Sequence, residues 1–294
     1  MGTVIKSVAI SPPSYDLGSI AHASAAAAEC MKTASVLPHE IDLILNVGIF
    51  RDQNMVEPAM AALIQKELGI NLDLVKFPTQ KPTFSFDLMN GACGVLNAVQ
   101  VADALLASHP NQNVLIVSSD AHPSNRKIDG FPYASAGAAF ILQKSPRQDQ
   151  GFGRVQFLNS PQESWGRIAS SQIYHKNSQE IISVIDDSDY LPRLQSLMAD
   201  SIRRYTSTED LILDRILLLI TQPCPEFAEN LAKDLKIARA SVLTIPGIDL
   251  DLGTSALGFA YHKALQSGAL QEYDQVLFAA VGAGMTSACA AYRT

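Results

Sequence analysis

The residue best placed to do chemistry is Cys93. It follows an apolar strand, Phe84-Ser85-Phe86-Asp87-Leu88, through a turn containing Gly91, and it opens a helix whose first turns are small. A thiol at a helix N-terminus lies at the positive end of the macrodipole beside free N–H groups, which favours thiolate over thiol and makes a better nucleophile. Ala92, Gly94 and Ala98 carry no bulk beyond Cβ, so an acyl chain or a second backbone can come close. The same features also suit a small residue that fills a helix-helix contact. Cys30, Cys224 and Cys289 lie far from Cys93 and from one another, and no C-x-x-C pair or Cys/His cluster has metal-ligand spacing. Free thiols and no metal are expected. The histidines are isolated in sequence; His122 and His262 are the two worth testing as a base, and His175 falls in a polar stretch.

Cys93 has to be held by the elements around it. Apolar periodicity predicts helices over 21–35, 57–68, 93–107, 191–205, 225–235 and 253–270, and strands over 41–47, 83–88, 113–119, 136–143, 215–221, 240–245, 275–281 and 287–293. Residues 145–190 read as an irregular connection. The segment GACGVLNAVQVADALLASHPNQNVLIVSS overlays GTSALGFAYHKALQSGALQEYDQVLFAAV without a gap, pairing Gly91 with Gly253, Cys93 with Ser255 and Val114 with Val276. Two similar halves, 1–150 carrying the nucleophile and 151–294, packed as one unit, imply a pseudo-twofold α/β molecule. Five α-β-α-β-α layers are expected.

FSFDLMNGACGVLNAVQVADALLASHPNQNVLIVSSD resembles the nucleophile region of β-ketoacyl-acyl-carrier-protein synthase III, a family with the thiolase fold. GTSALGFAYHKALQSGAL and DQVLFAAVGAGMTSACAAYR are similar to its last helix, strand, glycine loop and final strand; ASAGAAFIL and ILLLITQPCPEFAENLAKDLKI resemble two further segments. The resemblance implies a thiolase fold, an acyl group taken up by Cys93, and a backbone oxyanion hole from the N–H groups of Cys93 and Ala283, the latter flanked by Gly282 and Gly284. It also exposes two departures. Thr221 stands at the family's His position, followed by Gln222 as in the family and by Cys224 where that motif has Asn, and Gly253 replaces the catalytic Asn of the last long helix. Pro12–Ser19 runs almost directly into the first helix, without the longer segment whose Trp and Arg clamp the CoA nucleotide.

Two functions follow as expectations. One is a synthase III-like acyltransferase or atypical condensing enzyme, loading Cys93 from an acyl carrier protein or acyl-CoA in fatty-acid, polyketide or secondary metabolism. The other is a noncatalytic or chain-length-controlling subunit paired with an active synthase, because the family's His and Asn are replaced by Thr221 and Gly253. The resemblance implies a homodimer, or a heterodimer with that synthase, in which Asn113–Ser119 pairs across the twofold. No cofactor is expected. A formal charge of −7 argues against nucleic acid. Neither a signal peptide nor an apolar stretch of membrane-spanning length is read, so a cytoplasmic protein without membrane contact is expected.

Overall fold

The computed structural model describes residues 2–73, 75, 81–147, 149–160, 165–171, 181–273, 275–282 and 284–294. In chain order the first half supplies β1 (Thr3–Ser11), α1 (Ser19–Ala34), β2 (Ile41–Asn46), α2 (Met60–Glu67), β3 (Phe84–Asp87), α3 (Gly94–Ser108), β4 (Asn113–Asp120) and β5 (Ala136–Lys144). The rest of the chain supplies β6 (Gly151–Phe152), β7 (Gln156–Asn159), β8 (Arg167–Ser170), β9 (Ser183–Asp186), α4 (Tyr190–Thr208), β10 (Ile216–Ile220), α5 (Phe227–Leu235), β11 (Val242–Leu243), α6 (Ala256–Ser267), β12 (Gln275–Gly282) and β13 (Thr286–Arg293). One sheet runs β1-β5-β4-β2-β3 and the other β11-β10-β12-β13-β6, with β7 also paired to β13; β8 and β9 form a separate antiparallel pair.

Side-chain alternation separates the layers. Val114 and Ile116 of β4 face inward, against Leu96 and Val99 of α3 and Leu257 and Tyr261 of α6. Leu115 and Val117 face outward, against Ala27 of α1 and Ile64 of α2. In β12, Val276 and Phe278 join the central layer while Leu277 and Ala279 join Met198 of α4 and Leu231 of α5. Because β10 is covered on both faces, its run Ile216–Ile220 is buried throughout. The result is a five-layer α-β-α-β-α sandwich, the layering that the resemblance implies.

The internal repeat holds to the residue. A 3₁₀ turn at Gly91–Cys93 precedes α3, and a 3₁₀ turn at Gly253–Ser255 precedes α6. Gly91 and Gly253 have φ of 51° and 54°, a left-handed conformation that favours glycine.

Some expectations are corrected. The first strand, Thr3–Ser11, was not anticipated ahead of α1, because a bulge between Ile5 and Ser7 turns Lys6 to solvent and breaks the two-residue alternation. Within 145–190 the chain forms β6 to β9 rather than only irregular structure. The 57–68 helix starts at Met60, whose N–H donates to Asp87 Oδ2 at 3.0 Å, while Ala61 N–H donates to Asp87 Oδ1 at 2.9 Å. Asn113–Ser119 cannot pair across a twofold, since β4 lies between β2 and β5 with both backbone edges taken; β3 pairs only with β2 among the described strands. Gly91–Ser108 does reach membrane-spanning length and apolarity, with a mean hydropathy of 1.3 over 18 residues. Here it includes the central helix α3, whose Val95, Leu96, Val99 and Leu106 are buried in the core between the sheets while Gln100, Asp103 and Ala107 are exposed.

Gly258 brings α6 onto β5: a Cβ there would overlap the Cβ of Ala138. Gly258→Ala is expected to lower stability by about 1–3 kcal/mol through overpacking, read as a drop in the denaturant midpoint with an unchanged m-value. An unchanged midpoint would refute the close approach.

Candidate functional site

The 3₁₀ turns before α3 and α6 meet at a cavity of about 170 Å³. From the first half it takes Gly91 and Ala92; from the second, Gly253, Thr254 and Gly282. Cys93 does not line it. The Cys93 side chain turns into the central core, 1% exposed, with Sγ 3.4 Å from the Thr286 carbonyl oxygen and 3.8 Å from that of Ala280. The expectation of a thiolate-favouring position is not met, because burial pushes the thiol up to about 12 and outweighs the helix terminus. The residue of this turn that faces the cavity is Ala92, whose Cβ lies 3.3 Å from the position a Cβ on Gly282 would take.

The other expected site residues are scattered. Thr221 is buried, and its hydroxyl is engaged in both directions: it donates to Val281 O at 3.2 Å and accepts from Val281 N at 2.9 Å. It fastens the end of β10 to β12 and does not reach the cavity. A Cβ on Gly253 would stand 2.5 Å from Asp120 Oδ2 and 3.2 Å from Tyr133 Cδ1, so neighbouring side chains fill the space an Asn would need. Gln222 and Cys224 line a different, much smaller crevice with Pro225 and Leu250. Gly284 is exposed, and Ala283 lies outside the described residues, as does His175. His122 bonds Ser124 Oγ through Nδ1 at 2.7 Å and packs edge-on to Phe131; neither it nor His262 lines the cavity, and burial lowers both.

The cavity is instead furnished by residues that sequence reasoning missed. Asp120, at the end of β4, accepts Ile49 N at 3.0 Å and Phe50 N at 2.9 Å on Oδ1, and Thr254 N and Oγ1, both at 2.8 Å, on Oδ2. Asp251 accepts Gly253 N at 2.8 Å, and burial raises its carboxyl to about 6 against the opposing pull of that N–H and of Arg167. Arg167 bonds Asp186 through Nε at 2.6 Å and Nη2 at 2.9 Å, with its guanidinium 4.6 Å from the Tyr190 ring centroid and 5.2 Å from that of Tyr133. Burial works against the Arg167 charge, but the Asp186 carboxylate more than offsets it and raises its pKa. Burial likewise raises both phenols. Among the described residues, no three His, Cys, Asp or Glu side chains are grouped to hold a metal. One signal for Ala92 was available in the repeat: it pairs with Thr254, which faces the cavity, whereas Cys93 pairs with Ser255, which is buried with Oγ on Ser118 O at 3.1 Å.

No protein-family model matches the chain. Among curated proteins it is similar to β-ketoacyl-acyl-carrier-protein synthase III of Aquifex aeolicus, 21% identical over 273 residues that cover 90% of this chain and 80% of that protein. It is also similar to the synthase III of Ehrlichia canis, 24% identical with the same coverage. Among solved structures, the 3-oxoacyl-acyl-carrier-protein synthase III of Pseudomonas aeruginosa superposes with a TM-score of 0.81 at 15% identity, covering 100% of this chain and 98% of that one. A variant of Xanthomonas campestris OleA superposes with a TM-score of 0.80 at 15% identity, covering 100% and 99%. The chain is therefore a synthase III-like protein with the thiolase fold.

Thiol chemistry reports this geometry. In the native protein at pH 8, a small disulfide reagent is expected to titrate Cys224 quickly, and Cys30, Cys93 and Cys289 only on unfolding, since those three are buried and Cys224 is half-buried. The three buried thiols are raised to about 11, 12 and 12, respectively, from an ordinary 9.0. Their folded pKa values exceed the unfolded ones, so the stability they contribute is full below pH 9 and is lost as pH rises toward 11–12. The melting temperature is expected to fall from pH 9 upward, less steeply in Cys93→Ala; rapid native labelling of Cys93 would contradict the buried position.

Proposed function

We propose that the chain is a non-condensing, synthase III-like subunit that binds a short thioester-borne group and works beside a second thiolase-fold subunit. The observation that carries this reading is the orientation of one turn: Ala92 faces the cavity while the Cys93 thiol is buried against the carbonyl oxygens of β12 and the start of β13. To present Cys93 instead, the turn would have to rotate by one residue, about 120° on a 3₁₀ path, carrying Ala92 into the core. Thr221 and Gly253 add to the argument, since neither places a donor in the cavity for a developing enolate or carbonyl charge. The cavity volume also favours a short group: about 170 Å³ is below the roughly 300–1,000 Å³ of common ligand pockets.

The thioester donor in this reading is an acyl carrier protein, as the names of the similar synthases suggest, or an acyl-CoA. Incubation with acetyl-, butyryl- and malonyl-CoA, followed by intact mass and peptide mapping, is expected to give no adduct on Cys93 and no decarboxylation of malonyl thioester. Cys93→Ala is expected to behave like the parent protein. A stoichiometric acyl adduct on Cys93 would sink the reading and restore the acyltransferase alternative, in which that thiol is loaded.

The second subunit is proposed to dock on the edge of β3 that pairs with no other described strand. Phe84 is 67% exposed there, its ring 5.1 Å from that of Phe86, and Met89 just beyond the strand is also exposed. An open strand edge with exposed aromatic side chains is a pairing surface. Light scattering is expected to give a dimer for the isolated chain, or a heterodimer when co-expressed with an active synthase, and Phe84→Asp should shift either toward monomer. An unchanged dimer in Phe84→Asp would refute this placement.

A further inference from the structure

The cavity contains a polar pair that thioester binding alone does not explain. Arg167 is 9% exposed, and its Nε and Nη2 are engaged by Asp186, yet its buried Nη1 makes no hydrogen bond of ordinary length; the Tyr133 phenol lies close enough only to support the charge. Asp251 Oδ2 stands 3.8 Å from that Nη1, close enough for attraction but too far for a hydrogen bond. The other Asp251 oxygen is held by Gly253 N. A buried guanidinium donor without an acceptor is unfavourable unless something supplies one.

The charges around the gap select what can enter it. An anionic group would meet Asp251 and Asp120, and a cationic group would meet Arg167. A ketone oxygen can accept from Arg167 but offers nothing to Asp251; a methylene serves neither. A hydroxyl both accepts and donates, so one oxygen about 2.8 Å from each atom completes both bonds across the gap. The remaining walls, Ile49, Phe50, Val281 and the rings of Tyr133 and Tyr190, suit a short apolar body. We propose that the cavity recognises a short, uncharged acyl group bearing a hydroxyl, with that hydroxyl bridging Arg167 Nη1 and Asp251 Oδ2. This specificity rests on the thioester-binding reading above and names the class of group bound.

The test uses four probes in saturation-transfer NMR titrations of the full chain: the N-acetylcysteamine thioesters of 3-hydroxybutyrate, butyrate and succinate, and 3-hydroxybutyramide, which has no thioester. The 3-hydroxybutyryl thioester is expected to bind at least tenfold more tightly than the butyryl and succinyl thioesters, and 3-hydroxybutyramide to compete with it. Arg167→Met should reduce the hydroxyl preference to about onefold. Should that variant unfold for loss of the Asp186 pair, Asp251→Asn serves: Gly253 N keeps the amide oxygen, the NH₂ faces Arg167, and the preference should fall at least fivefold. Equal binding of the butyryl and hydroxybutyryl thioesters would overturn the hydroxyl bridge and leave thioester binding intact. Tightest binding by the succinyl thioester would overturn it in favour of an anion site. Binding of 3-hydroxybutyramide with no thioester bound would instead keep the bridge and overturn the subunit reading; no binding by any probe would overturn both.

Discussion

The carboxylate of Asp120 is the constraint around which this site is arranged. It is buried at the C-terminal end of β4 and accepts four hydrogen bonds, two from the backbone after β2 and two from Thr254 before α6. A buried carboxylate is tolerated only when its oxygens are this well supplied with donors. The bonds also join the two halves of the molecule at the point where their equivalent turns meet. Once Asp120 is fixed there, residue 253 has no room for a Cβ, and its φ of 54° independently favours glycine. The departure at position 253 is thus part of a built polar floor, not an isolated loss.

The rest of the floor follows from charge. Asp251 lies beside Asp120 in a dry environment, so burial raises its carboxyl to about 6 and the second negative charge is held less firmly than on a solvated aspartate. Arg167 reaches over from β8 to lie near Asp251, and Asp186 on the paired strand β9 holds it in a fork that fixes its direction. The Tyr133 and Tyr190 rings flank the guanidinium, adding cation–π attraction that a lysine would not match in shape. A wall of this kind recognises polar groups by position; the described residues that line the cavity include no Cys, Ser, Lys or His, and each of its carboxylates holds a backbone N–H.

The residues expected to act in acyl transfer are each engaged elsewhere. Thr221 serves a strand-to-strand link, Cys93 serves the core, and Ala92 presents only a methyl group. Each is a stable packing solution in its own right. In the function proposed above, they together make the centre of the fold a place where a small group is held.

Much of the architecture was legible along the chain because it is encoded locally. The alternation of β4 and β12, the small-residue faces of α3 and α6 and the gapless repeat from Gly91 and Gly253 each follow from backbone periods of two and 3.6 residues. Thr221 and Gly253 were singled out by the resemblance, as expected departures. The sequence could not decide which of two adjacent residues, Ala92 or Cys93, turns toward the cavity, since a single step around a helical turn separates them. Nor could it bring Arg167, Asp251 and Asp120 together, because charged residues distant in sequence and outside any periodic pattern look like ordinary surface until folding removes their water. The sequence by itself determined the layers and the elbow; only the tertiary structure determined that the elbow presents a methyl group and that the chemistry of the cavity belongs to a buried arginine and two aspartates.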